Sequence, residues 1–155
     1  MKVPHVLLAV SGAMVVSGCG SLTYNLKYPE ESFTVGGKSL TLHTQRCRVN
    51  RQDCIVDLDP TPDPMSNWGP EVVVAEGGGV QRIHWRIRNT DEWSFADPGV
   101  VFKTEAGAQN FRCVNTRFVI QCANRGTRGD FEYSIRVLKD GQGQPIEKDP
   151  WFINR

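Results

Sequence analysis

Four cysteines and two histidines are the residues of the main chain body best suited to chemistry: Cys47, Cys54, Cys113 and Cys122, with His43 and His84. No C-x-x-C spacing occurs, so neither dithiol redox chemistry nor a zinc knuckle has its usual signature. The cysteines read instead as two structural disulfides. Three pairings are possible, and the clustering into two close pairs favours Cys47–Cys54 with Cys113–Cys122. The second pairing carries a geometric condition. A tight turn at Asn115-Thr116 would set Cys113 opposite Phe118 and leave Cys122 about 13 Å away, beyond disulfide reach. A wider loop is therefore expected between them.

Hydrolysis by a side-chain nucleophile needs a base and an orienting acid as well. No serine lies in a G-x-S-x-G elbow, and His84 stands among arginines with no carboxylate beside it in sequence. A satisfied or solvated histidine is the expected reading, and a small hydrolase built around His43 or His84 is the weakest functional alternative. A blue-copper site takes two His, one Cys and a weak Met, but Cys122 is followed by Ala123-Asn124-Arg125. Asp53, Asp57, Asp59 and Asp63 offer oxygen ligands without EF-hand spacing, and Asp59 and Asp63 precede prolines, which is turn chemistry. No catalytic residue, metal or cofactor is assigned.

Binding has better candidates. Arg82, His84, Arg86 and Arg88 alternate, so a strand would aim all four the same way. Arg112 and Arg136 have the outward parity of their own strands. Such a face suits an acidic protein, a phosphate headgroup or a cell-wall carboxylate. Alternatively it is a solvated face paired with Glu71, Glu76 or Glu132, each exposed pair contributing ~0–1 kcal/mol. Trp68, in a proline-rich loop, is either a contact hot spot or a plug for one end of the domain.

The N-terminus adds a location. Lys2 precedes an apolar stretch at residues 6–16, which as a helix would span only ~16 Å of a ~30 Å hydrocarbon core. It ends in Val16-Ser17-Gly18-Cys19. This arrangement resembles the lipobox of bacterial lipoproteins, with Val16 where Leu is more usual. The resemblance implies cleavage before Cys19, removal of residues 1–18 as a signal peptide and a diacylglycerol on the Cys19 sulfur. Each buried CH₂ contributes about 0.8 kcal/mol, so several acyl chains anchor firmly. Gly20, in place of an inner-membrane-retaining Asp, implies the periplasmic face of the outer membrane. An exported chain is also where disulfides persist.

The elements that must position these residues are strands. Short alternating runs separated by Gly, Pro and Asn recur through the chain, with residues 131–137 the cleanest. Helical periodicity of useful length occurs only in the leader. The fold expected is all-β: one small disulfide-stapled sandwich over residues 31–155, Ig-like or cupredoxin-like without metal, a closed barrel being the alternative. Residues 19–30 are a tether or first strand. The proline-rich loop, residues 59–70, divides an N-terminal piece from a better-patterned C-terminal part. Asp97-Pro98-Gly99 reads as a turn between strands. The inward set is Phe33, Leu42, Val73, Ile83, Trp85, Ile87, Phe102, Phe111, Phe118, Ile120, Phe131, Tyr133, Ile135 and Val137, with both Cys113 and Cys122 pointing in. Without Lys2 the 18 basic residues become equal to the 17 acidic ones, so nucleic acid is not an expected partner. The leading functional expectation is a non-enzymatic protein-binding or structural module of the envelope. The alternative is an inhibitor or immunity protein of a periplasmic enzyme.

Overall fold

The computed structural model describes residues 28–47, 52–63, 66, 68–74 and 81–155. Residues 1–18, expected as a leader, Cys19, most of the 19–30 segment, and Glu76 lie outside the described residues.

The alternating runs form β1 (Glu30–Val35), β2 (Lys38–Cys47), β3 (Asp53–Leu58), β4 (Glu71–Val74), β5 (Gln81–Ile87) and β6 (Trp93–Phe102). A short helix, α1 (Glu105–Asn110), follows. Then come β7 (Phe111–Asn115), β8 (Val119–Asn124), β9 (Gly129–Lys139), β10 (Ile146–Lys148) and β11 (Trp151–Asn154). One sheet has seven strands, ordered β1-β2-β4-β11-β9-β10, with β6 also paired to β9. The other has four, ordered β3-β5-β8-β7. Both β10 and β11 lie antiparallel to β9, on different stretches of it, and Pro150 separates them. Proline cannot donate to a ladder; its carbonyl instead accepts the Tyr133 N–H at 3.1 Å.

The two sheets bury one shared core, so the chain is a disulfide-stapled β-sandwich. Trp85 from the small sheet meets Tyr133 from the large one with ring centroids 5.5 Å apart, and both are fully buried. Each buries ~200 Å², worth about 5 kcal/mol at 25 cal/mol/Å². Phe111 stacks on Phe102 at 4.0 Å and meets Phe152 edge-on at 4.6 Å. Of the expected inward set, Phe33, Phe102 and Phe118 are only half-buried. Leu42 and Val73 are buried not in the shared core but in a second cluster with Val35 and Ile153, against which Phe33 packs. It is Val72 and Val74 that face the shared core. Val35 and Lys38 pair across Gly36-Gly37, whose φ values of 55° and 79° are those a two-residue turn of the strand-matching hand demands.

Both expected disulfides are present. Cys47 closes β2 onto Cys54 of β3, joining the two sheets. Cys113 and Cys122 face each other directly across β7 and β8. The hairpin that permits this is tight rather than wide. Its turn is Arg117-Phe118, two residues later than Asn115-Thr116, with the Thr116 N–H donated to Val119 O at 2.9 Å. The shift moves Cys122 opposite Cys113. Cys122 is buried, but Cys113, on an edge strand, is exposed.

Three further expectations give way. Asp97-Pro98-Gly99 is not a turn between strands but an irregularity within β6, which pairs with β9 on both sides of it. A helix occurs among the strands: α1 is capped by Thr104, whose hydroxyl accepts the Gly107 N–H at 3.1 Å. The proline-rich loop does not divide the chain. It carries the backbone from β3 in one sheet to β4 in the other, and strands on both sides of it share the core.

One end of the sandwich is held by buried amides. Asn124 Oδ1 accepts from Asn110 Nδ2 (2.9 Å), the Gly126 N–H (2.9 Å) and Asn154 Nδ2 (3.3 Å). Asn110 Oδ1 accepts the Thr127 N–H at 3.0 Å. These bonds satisfy the buried side-chain amides and tie the 126–127 loop to them.

Candidate functional site

The basic residues of β5 do form one face, as their alternation requires. Gln81, Ile83, Trp85 and Ile87 are buried, whereas Arg82 and Arg86 are exposed and His84 half-buried. What they face is not the set of glutamates expected. β3 lies parallel to β5, with Asp53 opposite Arg82, Ile55 opposite His84 and Asp57 opposite Arg86. Asp53 Oδ1 sits 2.8 Å from Arg82 Nε and 2.9 Å from His84 Nε2, while Oδ2 accepts Arg82 Nη2 at 2.9 Å. Asp57 Oδ1 accepts Arg86 Nε at 2.9 Å, and its Oδ2 lies 3.5 Å from Arg88 Nη1. The His84 hydrogen bond, then that of Arg82, holds the Asp53 carboxyl below the usual carboxylate range. Glu132 is engaged elsewhere, with Lys103 at 3.0 Å.

Adding β8 and β7 turns this pair into a patterned surface. One row runs Asp53, Arg82, Ala123, Arg112; the next runs Ile55, His84, Gln121, Val114. A third runs Asp57, Arg86, Val119. Ile55 is 46% and Val114 69% exposed, so the middle row ends in open apolar side chains on both sides. Four guanidinium groups, those of Arg82, Arg86, Arg88 and Arg112, stand against the carboxylates of Asp53 and Asp57, with Asp59 exposed one step past β3, so the face still carries more cations than acids. Arg136 does not belong to it. It lies on β9 in the other sheet, 3.5 Å from Glu147.

The His84–Asp53 pair has the geometry of a base with its orienting acid. The strand neighbours of His84 on this face are Arg82, Arg86, Ile55 and Gln121, none of which is a hydroxyl or thiol nucleophile. His43 lies 3.3 Å from Glu30, at the half-buried surface of the other sheet. Burial raises the Glu71 carboxyl above its ordinary range, and a hydrogen bond from its own backbone N–H is the largest effect opposing that rise. The two histidines therefore belong to separate sheets and do not converge.

Asp53 and Asp57, weighed from sequence only as calcium ligands with Asp59 and Asp63, are committed to the β5 cations. Among the described residues no group of three or more His, Cys, Asp and Glu is placed to hold a metal ion. Trp68 is 3% exposed and part of the shared core, so its ring is not open at the surface as a contact hot spot would be. Missed by sequence reasoning were Ile55, Val114 and the acidic partners. The signal for the acids was present: Asp53, Ile55 and Asp57 alternate with the same period as Arg82, His84 and Arg86. No protein-family model matches the chain, and no curated protein matches its sequence.

Proposed function

We propose that this chain is a non-enzymatic protein-binding module of the bacterial envelope, anchored through lipid on Cys19 to the periplasmic face of the outer membrane. Its working surface is the outer face of the β3-β5-β8-β7 sheet, and its partner is an envelope protein with an acidic patch. The observation that carries this reading is the face itself. The guanidinium groups of Arg82, Arg86 and Arg88 are held by Asp53 and Asp57, so they are oriented before a partner arrives, and the cations of the face remain in excess. Preorganised charge of one sign favours fast and selective encounter with the opposite sign. Two disulfides in one small domain agree with an oxidising compartment.

The test has two arms. Cys19→Ser should leave an unlipidated precursor, and normal membrane attachment of that variant refutes the anchor. The wild-type chain, passed over an envelope extract, should retain one stoichiometric protein that an Arg86→Glu/Arg88→Glu variant of unchanged melting temperature does not. Equal retention by both removes this face from the function. If the retained protein is a hydrolase whose turnover the chain blocks, the function is that of an inhibitor or immunity protein.

A further inference from the structure

We propose that β7 is a docking edge, where an extended segment of the partner protein adds as a fifth strand of the small sheet. That segment carries an acidic residue against Arg112 and an apolar residue two positions away against Val114. The inference rests on the protein-binding reading above and names the edge and the segment chemistry involved.

The hydrogen-bonding phase of the hairpin supplies the first argument. The Thr116–Val119 bond marks that pair as hydrogen-bonded, and antiparallel pairs alternate. Val114–Gln121 and Arg112–Ala123 are then bonded pairs, while Asn115–Ile120 and Cys113–Cys122 are not. The 4.0 Å Cα separation of the cysteines agrees with the closer, non-bonded class. The N–H and C=O groups of Cys113 and Asn115 therefore point away from β8. None of the turn, loop or inter-element backbone bonds among the described residues involves them. Arg112, Cys113, Val114 and Asn115 are all exposed.

The edges at β3, β1 and β6 are treated differently. On β3, the Asp57 carbonyl accepts the Tyr28 hydroxyl, and Cys54 is stapled to the opposite sheet. On β1, the Thr34 carbonyl accepts from Arg155 at 3.5 Å. On β6, Pro98 has no N–H, its carbonyl accepts from Arg136 at 3.4 Å, and the Phe95 N–H is donated to Arg117 O at 2.8 Å. Folded proteins blunt their edges by such devices, and an edge left open is a template for another strand.

Charge selects the occupant. In the first row Asp53 neutralises Arg82 from the β3 side, but Arg112, at the β7 end, has no ion pair among the described residues. An acid on an added strand would complete that end as Asp53 completes the other. An apolar residue two positions along meets Val114, and successive alternate residues of a strand share a face. A second copy of the chain serves less well. Two-fold pairing about Val114 sets Arg112 opposite Thr116 of the other copy and leaves the charge unmet.

The experiment uses the mature, lipidated, oxidised chain in detergent micelles. A random seven-residue displayed peptide library is the probe. Selection should enrich an acidic residue two positions from an apolar one. Bound peptide should protect the Cys113 and Asn115 amides from hydrogen exchange, where the Arg112 and Val114 amides are already slow. Asn115→Pro removes one outward N–H at a position where an edge tolerates proline, and should weaken binding about tenfold or more. Val114→Asp, at an exposed site, should weaken it similarly if the proline variant melts early. Arg112→Glu should redirect selection to basic peptides. Failure to enrich any peptide, binding indifferent to these variants, or protection arising elsewhere overturns the edge. Self-association of the chain alone, abolished by Asn115→Pro, reassigns the edge to a second copy and also overturns it. Capture of an envelope protein that survives Asn115→Pro but not Arg86→Glu/Arg88→Glu sinks this inference and leaves the proposed function standing.

Discussion

Removing the inter-sheet disulfide should destabilise the protein more than removing the cross-strand one, although the two close loops of similar length. Sequence separations of 7 and 9 correspond to loop-closure terms of about 2.5 and 2.7 kcal/mol at 25 °C. The difference arises from packing. Cys47 and Cys54 are each 4% exposed and belong to the shared core, so changing both to Ala withdraws two sulfurs from a packed interior. Each sulfur lost there costs a further ~1 kcal/mol. In the cross-strand pair only Cys122 is buried, because Cys113 is exposed. The expected costs are then about 4.5 kcal/mol for Cys47→Ala/Cys54→Ala and about 3.7 kcal/mol for Cys113→Ala/Cys122→Ala. At about 4 °C per kcal/mol for a domain of this size, the melting temperature falls by about 18 °C and 15 °C. Scanning calorimetry of the two double variants measures both. Graded reduction of the wild-type chain, followed by alkylation and mass spectrometry, adds an independent ordering. The bond with an exposed sulfur, Cys113–Cys122, should open first. A cross-strand variant less stable than the inter-sheet one, or reduction in the opposite order, would refute the reasoning that burial separates the two bonds.

Three other outcomes follow from the same geometry. Glu71 has its carboxyl raised by burial, so its contribution to stability is present below its ordinary pKa and is lost as pH rises through the raised value. Glu71→Gln should therefore raise the melting temperature at pH 7 and leave it nearly unchanged near pH ~4; an increase equal at both pH values contradicts the burial argument. Asn124→Ala strips the shared acceptor from Asn110 and Gly126, while Asn154 Nδ2 keeps the Thr127 carbonyl at 2.6 Å, and the loss should be about 2–3 kcal/mol by chemical denaturation, a loss under ~1 kcal/mol showing that water replaces the amide. Asp57→Asn frees Arg86 and Arg88 at the surface: stability should fall by ~1 kcal/mol or less, while association with an acidic partner should quicken and become more salt-dependent. Stopped-flow measurements over a salt series check the last of these, and an unchanged association rate places the contact elsewhere.

Local pattern was legible in the sequence, and non-local pairing was not. The alternation of Arg82, His84 and Arg86 with Ile83, Trp85 and Ile87 set the two faces of β5, because a strand has a period of two whatever lies beside it. The cysteine pairs were readable for a similar reason, being close in sequence. The neighbour of β5 was not readable. β3 runs parallel to it, and a parallel partner arrives by a long connection that leaves no turn signal. Asp53 and Asp57 therefore looked like free carboxylates and the arginines like free cations. Six residues of α1 are too few to display helical periodicity, although Thr104 before Glu105 was a capping signal. Asp97-Pro98-Gly99 has turn composition, but pairing with β9 on both sides overrode that local preference.

The register of β3 against β5 shows why the patterned face needs the inter-sheet disulfide. No hairpin fixes this parallel pair, so the side chains must. A slip of one residue would turn Val56 and Leu58 out to solvent and is excluded by burial. A slip of two is less well excluded. It would set Asp53 opposite His84 and Asp57 opposite Arg88, keeping each acid beside a base, and would lose mainly the match of Leu58 with Ile87. Charge thus cannot choose between these registers, since the cations on β5 repeat with the same period of two as the acids on β3. Two contacts do discriminate. Cys54 must reach Cys47 at the end of β2, and the Asp57 carbonyl must meet the Tyr28 hydroxyl. Both anchor β3 to residues outside its own sheet. The positions of Ile55, of the paired arginines and of the surplus positive charge follow from that anchoring. Oxidation of Cys47 and Cys54 thereby specifies the arrangement of the surface as well as supporting its stability.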